Sequence, residues 1–530
     1  MNAFTPAIRA SLLSDATKGA SLRRWSIRDL LNFHPTTTTT TTSDDGGSDH
    51  HAAAAAGVES LLREVQIRLA MQHSKLSSFS TSMNEGGVWY GSSASGGSSG
   101  TTTTTATRRR RRRRSGGDDD YKDEDEDADE AERRARARAC LGSLMQLHEN
   151  TYLLPHRIVD GDWRGLLGNF DKKPNRKYVS GVFDEIMSRH GSSVETFADA
   201  VIHARNGAGM MEEGRMHCDD DDDVPDDELR PRSSTTTRGG GYGSSSSGEE
   251  EVPEFLRNES IESFLHSRLM IQLLCDHYIS LGKGKVTGAI SLGADVAGVI
   301  VDAATEARHV CDANLGIAPE FRIIVRPPEK EDDDDDGAMM VVVAGRRDDD
   351  DSHPPPPPII RSWLHHAIVE VVKNAMTSNV QRHYITRRSE EEGSTPPAVD
   401  ISFGIMETKT TTGDDGRSST DNSSSSRYLK IRITDRGIGL EDKEQAFGFA
   451  RSSSRKRWDR LEEQQSYAAV RQPLGSLGVG LPLSRLMMRA FGGDLDISNN
   501  DIGEEGEGGI GGGCTATLTI SYDDTHIAKN

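Results

Sequence analysis

Apolar residues in the first half of the chain recur at steps of three and four. The pattern is clearest over residues 255–281, where Ile261, Phe264, Leu265, Leu269, Ile271, Leu274 and Tyr278 suit an amphipathic or largely buried helix. The same period predicts helices near 58–72, over 133–158 through Leu141, Leu144 and Leu147, and over 184–206 with a break at Gly191. Helices with no strands between them predict a bundle. After Leu292 the pattern changes. A helix over 294–312 is followed by FRIIVRP, MMVVV, VDISFGI, YLKIRITD and TATLTIS, strand-like runs set around a long helix beginning near Ile359. Strands mixed with a few long helices predict an α/β sandwich, one sheet face lying under helices. The expected fold class is α+β: a helical bundle over 26–290, an α/β domain over 291–522 and a tail over 523–530.

Composition reduces the foldable part of the 530 residues, of which only 34% are hydrophobic and 5% aromatic. Ser/Thr/Gly, Arg and acidic tracts near 77–130, 216–251, 329–357 and 408–426 bury too little apolar surface to offset the entropy of ordering, so they read as disordered inserts. Much of the net charge of −21 sits in such inserts, for example 219–223, 332–336 and 348–351. Like-charged blocks are solvated and report little about partners. The seven arginines at 108–114 run straight into an acidic tract, so a nucleic-acid function is rejected. Five cysteines without a CxxC pair exclude a zinc ribbon and suit a reducing compartment. No run approaches the roughly 18 uninterrupted apolar residues of a spanning helix, so no membrane insertion is expected. Residues 1–25 are poor in acid and carry Arg9, Lys18, Arg23 and Arg24 among Ala, Ser and Leu, which reads as a mitochondrial transit peptide.

Three segments carry candidate chemistry. In IIRSWLHHAIVEVVKNAMTSNV, apolar doublets four residues apart mark the packed stripe of a helix. His366, Glu370, Asn374 and Thr377 line a different face. The Asn374 oxygen is a hard ligand suited to Mg²⁺, and Glu370 one turn back can take a proton from a hydroxyl attacking a phosphate. In YLKIRITDRGIGL a strand ends in Asp435 beside Gly437 and Gly439, a carboxylate able to accept from a purine amino group where glycines admit a ligand. In LGSLGVGLPLSRLMMRAFGGDLDI, Gly475, Gly478 and Gly480 lead into a helix, whose free N–H groups suit phosphate. Residues 447–473, between the last two segments, have the length and polarity of a lid over nucleotide.

ExxKNA on a helix, DRGIG after a strand and GxGLP opening a helix, in that order, resemble the ATP-binding domain of histidine kinases, heat-shock chaperone ATPases, mismatch-repair ATPases and type II topoisomerases. In detail EVVKNAM, ITDRGIGL and GVGLPLSRLMMRAFGGDL resemble the mitochondrial 2-oxoacid dehydrogenase kinases, the family of pyruvate dehydrogenase kinase and branched-chain 2-oxoacid dehydrogenase kinase. SIRDLLNF, LREVQIRLA, HENTYLLPHRIV, IESFLHSRLMIQLLCDHYISL and CDANLGIAPEFRI are similar to that family's remaining sequence. The resemblance implies phosphoryl transfer from MgATP to a serine of the dehydrogenase subunit, with Glu370 as general base tuned by His366. It implies Asn374 on Mg²⁺, Asp435 with Gly437 and Gly439 on adenine, Lys373 and Thr515 on the nucleotide, and Ser452 and Ser453 where the lid meets it. Gly478, Val479, Gly480 and Leu481 would cradle the phosphates. It further implies a matrix homodimer docked on the lipoyl-bearing acyltransferase core.

Four positions depart from the family pattern: Thr377 where arginine is usual, Ile438 within the usual glycine triplet, Ser476 in the phosphate loop, and Cys514 before Thr515. They keep a second reading open, a degenerate kinase that docks without catalysis. A phosphorelay histidine kinase would need an acceptor such as His148, but Pro155 arrives too late for that motif. A clamp ATPase would need a long transducer, whereas about fifty residues follow the phosphate loop. His366 before the base favours pyruvate dehydrogenase as the target; the short tail without Asp-Trp favours the branched-chain complex. The balance leans to pyruvate.

Overall fold

The computed structural model describes residues 6–18, 30, 47–85, 122–161, 163, 165–168, 172–207, 256–324, 339–340, 357–386, 395–409, 425–440, 442–449, 478–490, 492–500 and 512–521. The cores of the expected inserts 77–130, 216–251 and 408–426 lie outside these residues, whereas within 329–357 residues 339–340 are described as a short strand.

Helices α1 (Pro6–Thr17), α2 (Gly47–Glu85), α3 (Lys122–Val159), α4 (Gly165–Gly168), α5 (Lys173–Arg189), α6 (Ser193–Gly207) and α7 (Asn258–Gly282) build the first half. All seven apolar positions that predict α7 are buried, as a helix packed against α2 and α5 requires. Phe264 stacks on Phe197 of α6 with ring centroids 4.0 Å apart, and Phe183 of α5 lies 4.4 Å from Tyr278. The Arg268 guanidinium, itself buried, donates to the Ser193 hydroxyl (2.8 Å) and the His190 carbonyl (2.7 Å), tying α7 to the α5–α6 turn.

One sequence expectation changes here. Residues 77–85 and 122–130, read as insert, are helical. Phe79 packs on Phe197 at 6.3 Å, and the hydroxyls that make this stretch look loop-like are spent on carbonyls one turn back, Thr81 on Ser77 (2.9 Å) and Ser82 on Ser78 (3.0 Å). Within residues 1–25, the expected transit peptide, residues 6–17 form α1, which packs on α2. Leu12 is fully buried there, and Asp15 accepts from the Tyr152 hydroxyl (2.7 Å) and the Gln66 amide (2.7 Å).

His190 is fully buried, edge-on to His148 at 4.8 Å, and neither of its ring nitrogens has a partner among the described residues. Burial, helped by His148 and Arg268, holds its imidazole down at about 2, so it stays neutral in the fold. In the unfolded chain it protonates around its ordinary 6.5, so the unfolded state binds more protons below that value and stability falls as pH falls. Lowering the pH from neutrality to 5 should cost on the order of 2 kcal/mol at this residue. Chemical denaturation at both pH values should show that loss, and His190→Leu should reduce it.

The second half begins with β1 (Ile290–Ser291), α8 (Val296–Leu315), β2 (Phe321–Ile324) and β3 (Met339–Met340), and continues with β4 (Ile359–Ile360), α9 (Arg361–Thr386), β5 (Val399–Lys409) and β6 (Ser425–Thr434). The short α10 (Lys443–Ala446), then α11 (Gly480–Arg489), β7 (Asp494–Asn499) and β8 (Cys514–Ser521), complete it. Among the described residues β2, β5, β6, β8 and β7 lie side by side in that order, with β3 also pairing β5. Only β2–β5 is parallel, so the sheet is mixed. Alternate residues Ile401, Phe403, Ile431, Ile433, Leu518 and Leu495 are buried and share one core with α8, α9 and α11. The doublets that predict α9 are buried as expected. Strand β7, with only Leu495 and Ile497 as buried apolar residues, carries too short an alternation to be read from sequence. Arg205 at the end of α6 joins the halves by donating to the Phe449 carbonyl and to that of Leu256 (2.9 Å).

Candidate active site

Helix α9 crosses the sheet and presents its polar face beside the end of β6. In the turn Val371 to Ala375, Asn374 is the exposed position while its neighbours are buried. Its carboxamide is therefore the one group of that turn open to a ligand, and a single hard oxygen suits Mg²⁺, which keeps waters and shares its remaining positions with phosphates. One turn earlier Glu370 is buried, its Oε1 accepting from Lys373 Nζ at 2.6 Å. Glu370 Oε2 and His366 Nε2 are buried without partners among the described residues. Burial holds the His366 imidazole below its ordinary range, against the pull of Glu370. Lys373, expected on the nucleotide, is thus turned to the carboxylate. Thr377, where the resembled family has arginine, gives its hydroxyl to the Lys373 carbonyl (2.8 Å).

Asp435 directly follows β6 in a buried position, and Oδ1 accepts from the Gly437 N–H (2.8 Å) and the Cys514 N–H (3.2 Å). Burial pushes its carboxyl above the usual carboxylate range, while those two donors pull the other way. No partner for Oδ2 is seen among the described residues. Two glycines are required by close approach: a Cβ at Gly437 would lie 1.9 Å from Ser378 Oγ, and one at Gly513, where φ is +81°, would lie 2.3 Å from the Asp435 carbonyl. Gly439 has φ +79° and Gly478 φ +71°. Val479 caps α11 without a side-chain bond and Gly480 is its first residue, so the chain enters the helix through its glycines. Thr515 is in the sheet beside this site, but its hydroxyl donates to Asn500 Oδ1 (2.6 Å), so the Cys514 backbone, not the Thr515 side chain, meets Asp435. Ser452, Ser453, Gly475 and Ser476 lie outside the described residues.

Sequence reading missed the frame that holds the Asp435 loop. Ser378 Oγ accepts from Ile438 N–H (3.0 Å), and Asn379, fully buried, accepts from Arg436 N–H (2.8 Å) and donates to the Pro397 carbonyl (2.8 Å). From the end of β7, Asn499 exchanges two bonds with the Leu440 backbone, both 2.8 Å, and Asn500 donates to the Asp435 carbonyl (2.9 Å). The signal lay in short polar residues just beyond each motif, SN after KNAMT and NN after DLDIS, where amides habitually bind nearby backbone. Asn379→Ala removes the side-chain partner of the part-buried Arg436 N–H and Pro397 carbonyl, and is expected to lower stability by about 1 kcal/mol in chemical denaturation.

The helix carrying a carboxylate and an open carboxamide, the aspartate just after a strand and the glycine-led helix start thus lie on elements that share one core. No model of a known protein family matches the chain. Known proteins do: 247 residues, 45% of the chain, are 26% identical to a mitochondrial pyruvate dehydrogenase (acetyl-transferring) kinase of Schizosaccharomyces pombe, covering 46% of that protein. The corresponding isozyme 1 kinases of Rattus norvegicus and Homo sapiens match 45% of the chain at 26% and 25% identity, over 44% and 45% of their own lengths. The chain thus spans a little under half the length of the curated relatives it matches. These likenesses support the family its motifs resemble, the mitochondrial 2-oxoacid dehydrogenase kinases. Within it, the relatives are pyruvate dehydrogenase kinases.

Proposed function

We propose that this protein is an ATP-dependent protein-serine kinase of the mitochondrial matrix, acting on the dehydrogenase subunit of a 2-oxoacid dehydrogenase complex, with pyruvate favoured over branched-chain substrate. Phosphorylation would inactivate that subunit. The observation that carries the reading is Glu370, buried with one oxygen unpartnered, one helical turn from the exposed Asn374. Asp435, with Oδ1 already satisfied by backbone, offers Oδ2 to the amino group of adenine. Asn374 would hold Mg²⁺, which supplies charge neutralisation on the phosphates. The N–H groups from Gly478 to Leu481 receive phosphate oxygens. Glu370 Oε2 accepts the serine proton as the hydroxyl attacks, and transfer then depends on positioning and charge stabilisation. Docking on the lipoyl-bearing acyltransferase core, as a homodimer, belongs to the same proposal.

One observation favours a second reading, a docking pseudokinase: the Thr377 hydroxyl is turned back on its own helix, so that position offers no cation to phosphate. The phosphorelay alternative fares worse, because His148 is fully buried and its Nδ1 meets the Leu144 carbonyl at 2.7 Å. Phosphosite mapping after incubation with MgATP and, separately, pyruvate and branched-chain dehydrogenase complexes decides among them. Phosphoserine on one dehydrogenase subunit supports the kinase and identifies its target. ATP binding with no phosphoserine on either supports the pseudokinase.

A further inference from the structure

We infer that Lys373 is a positioning residue for Glu370, one that keeps the buried carboxylate charged and its second oxygen aimed outward, and is not a ligand of the nucleotide phosphates. The inference rests on the kinase reading above. The two side chains are only 7% and 9% exposed, and Nζ lies 2.6 Å from Oε1. Two bonds to the Lys373 carbonyl hold the turn that sets this geometry, one from Thr377 Oγ1 on the same helix (2.8 Å) and one from the Cys311 thiol of α8 (3.7 Å).

Among the described residues the surroundings supply no substitute charge. His366, on the same face, is kept neutral by burial and makes no hydrogen bond to Glu370 among the described residues. His365 is turned to Glu306 of α8 (3.7 Å), and Arg361 to Asp302 of the same helix (3.0 Å). On α11, Arg485 and Arg489 are both engaged by Asp494, at 3.0 and 2.9 Å. Strands β5 and β6 contribute apolar Ile401, Phe403, Ile431 and Ile433 to this core. Among the described residues Lys373 is therefore the cation that meets Glu370. Removing one partner of a buried pair leaves an uncompensated charge, and a carboxyl in that position takes up a proton instead. A protonated Glu370 cannot accept the serine proton.

Lys373→Met should move the acid limb of the kcat profile up by about 1–3 pH units. It should leave the Kd for ADP, measured by calorimetry, within about twofold, since no phosphate contact is lost. Lys373→Arg should keep the limb near its original place. A readout independent of activity is isotope-edited infrared spectroscopy on glutamate-labelled full-length protein. At neutral pH Lys373→Met should show a protonated-carboxyl band that is absent from the wild type and from the Glu370→Gln/Lys373→Met double variant. A folded Lys373→Met without that band, or with ADP affinity weakened about tenfold or more and an unmoved acid limb, would overturn the inference and put Lys373 on the phosphates. If Lys373→Met does not fold, Lys373→Arg decides: ADP affinity weakened about tenfold or more with an unmoved acid limb in that variant would overturn the inference, and retained affinity would support it. Absence of phosphoryl transfer by the wild type would count against the kinase reading, with the infrared comparison still able to decide the role of Lys373.

Discussion

Glu370→Gln is expected to reduce phosphoryl transfer to the dehydrogenase subunit by about 10²- to 10⁴-fold, the contribution of a positioned general base. The substitution is close to isosteric. Its amide oxygen can still accept from Lys373, so the turn of α9 and the exposure of the neighbouring Asn374 should persist. What disappears is the basic lone pair on the unpartnered oxygen, replaced by an N–H₂ group that cannot take a proton. Loss confined to the chemical step lowers kcat while leaving nucleotide affinity in place. Single-turnover transfer and ADP calorimetry on the same preparation separate the two. A variant that transfers phosphate at the wild-type rate would remove Glu370 from the mechanism, and one that has also lost ADP would point to a collapsed site instead.

How much of this was legible beforehand depends on how each residue does its work. The doublets of α9, the heptad-like run of α7 and the order of the three motifs are periodic or contiguous, so one sequence carries them. Glu370, Asn374, Asp435 and Gly437 sit in those motifs and could be named from chemistry alone. The direction of Lys373 could not, because a lysine three residues after a glutamate can turn to its neighbour or to a ligand, and burial by α8 and the sheet decides which. The bond made by Thr515 was hidden for a related reason: its hydroxyl donates to Asn500, fifteen residues earlier in sequence and adjacent only across the β7–β8 pairing. The helical ends of α2 and α3 were missed because Ser, Thr and acidic composition argues for loop, while Phe79 and Met83 gain enough by burial to extend α2. Local propensity was outweighed there by a contact nearly 120 residues away, Phe79 on Phe197.

Asp435→Ala should all but abolish binding of adenine nucleotides. A hydrogen bond to a charged acceptor is worth about 1.5–3 kcal/mol, roughly 10- to 150-fold in Kd, before any change in the loop is counted. The loop would change as well, because the Gly437 and Cys514 N–H groups both lose the oxygen they share. Asp435→Asn separates these two contributions. Its amide oxygen can still receive Gly437 and Cys514, so the fold of the loop survives, but the amide nitrogen then faces the purine as a donor in place of an acceptor. Donor against the amino group of adenine is repulsive, whereas donor against the 6-oxo group of hypoxanthine is a new hydrogen bond. The variant should therefore lose ATP affinity while gaining on ITP, shifting the ratio of the two Kd values by about 10-fold or more. Calorimetric titration of both nucleotides into wild type and Asp435→Asn measures that ratio. An unchanged ratio, with ATP still bound tightly, would mean that adenine is read by some other group and that Asp435 serves only to hold the backbone of its own loop.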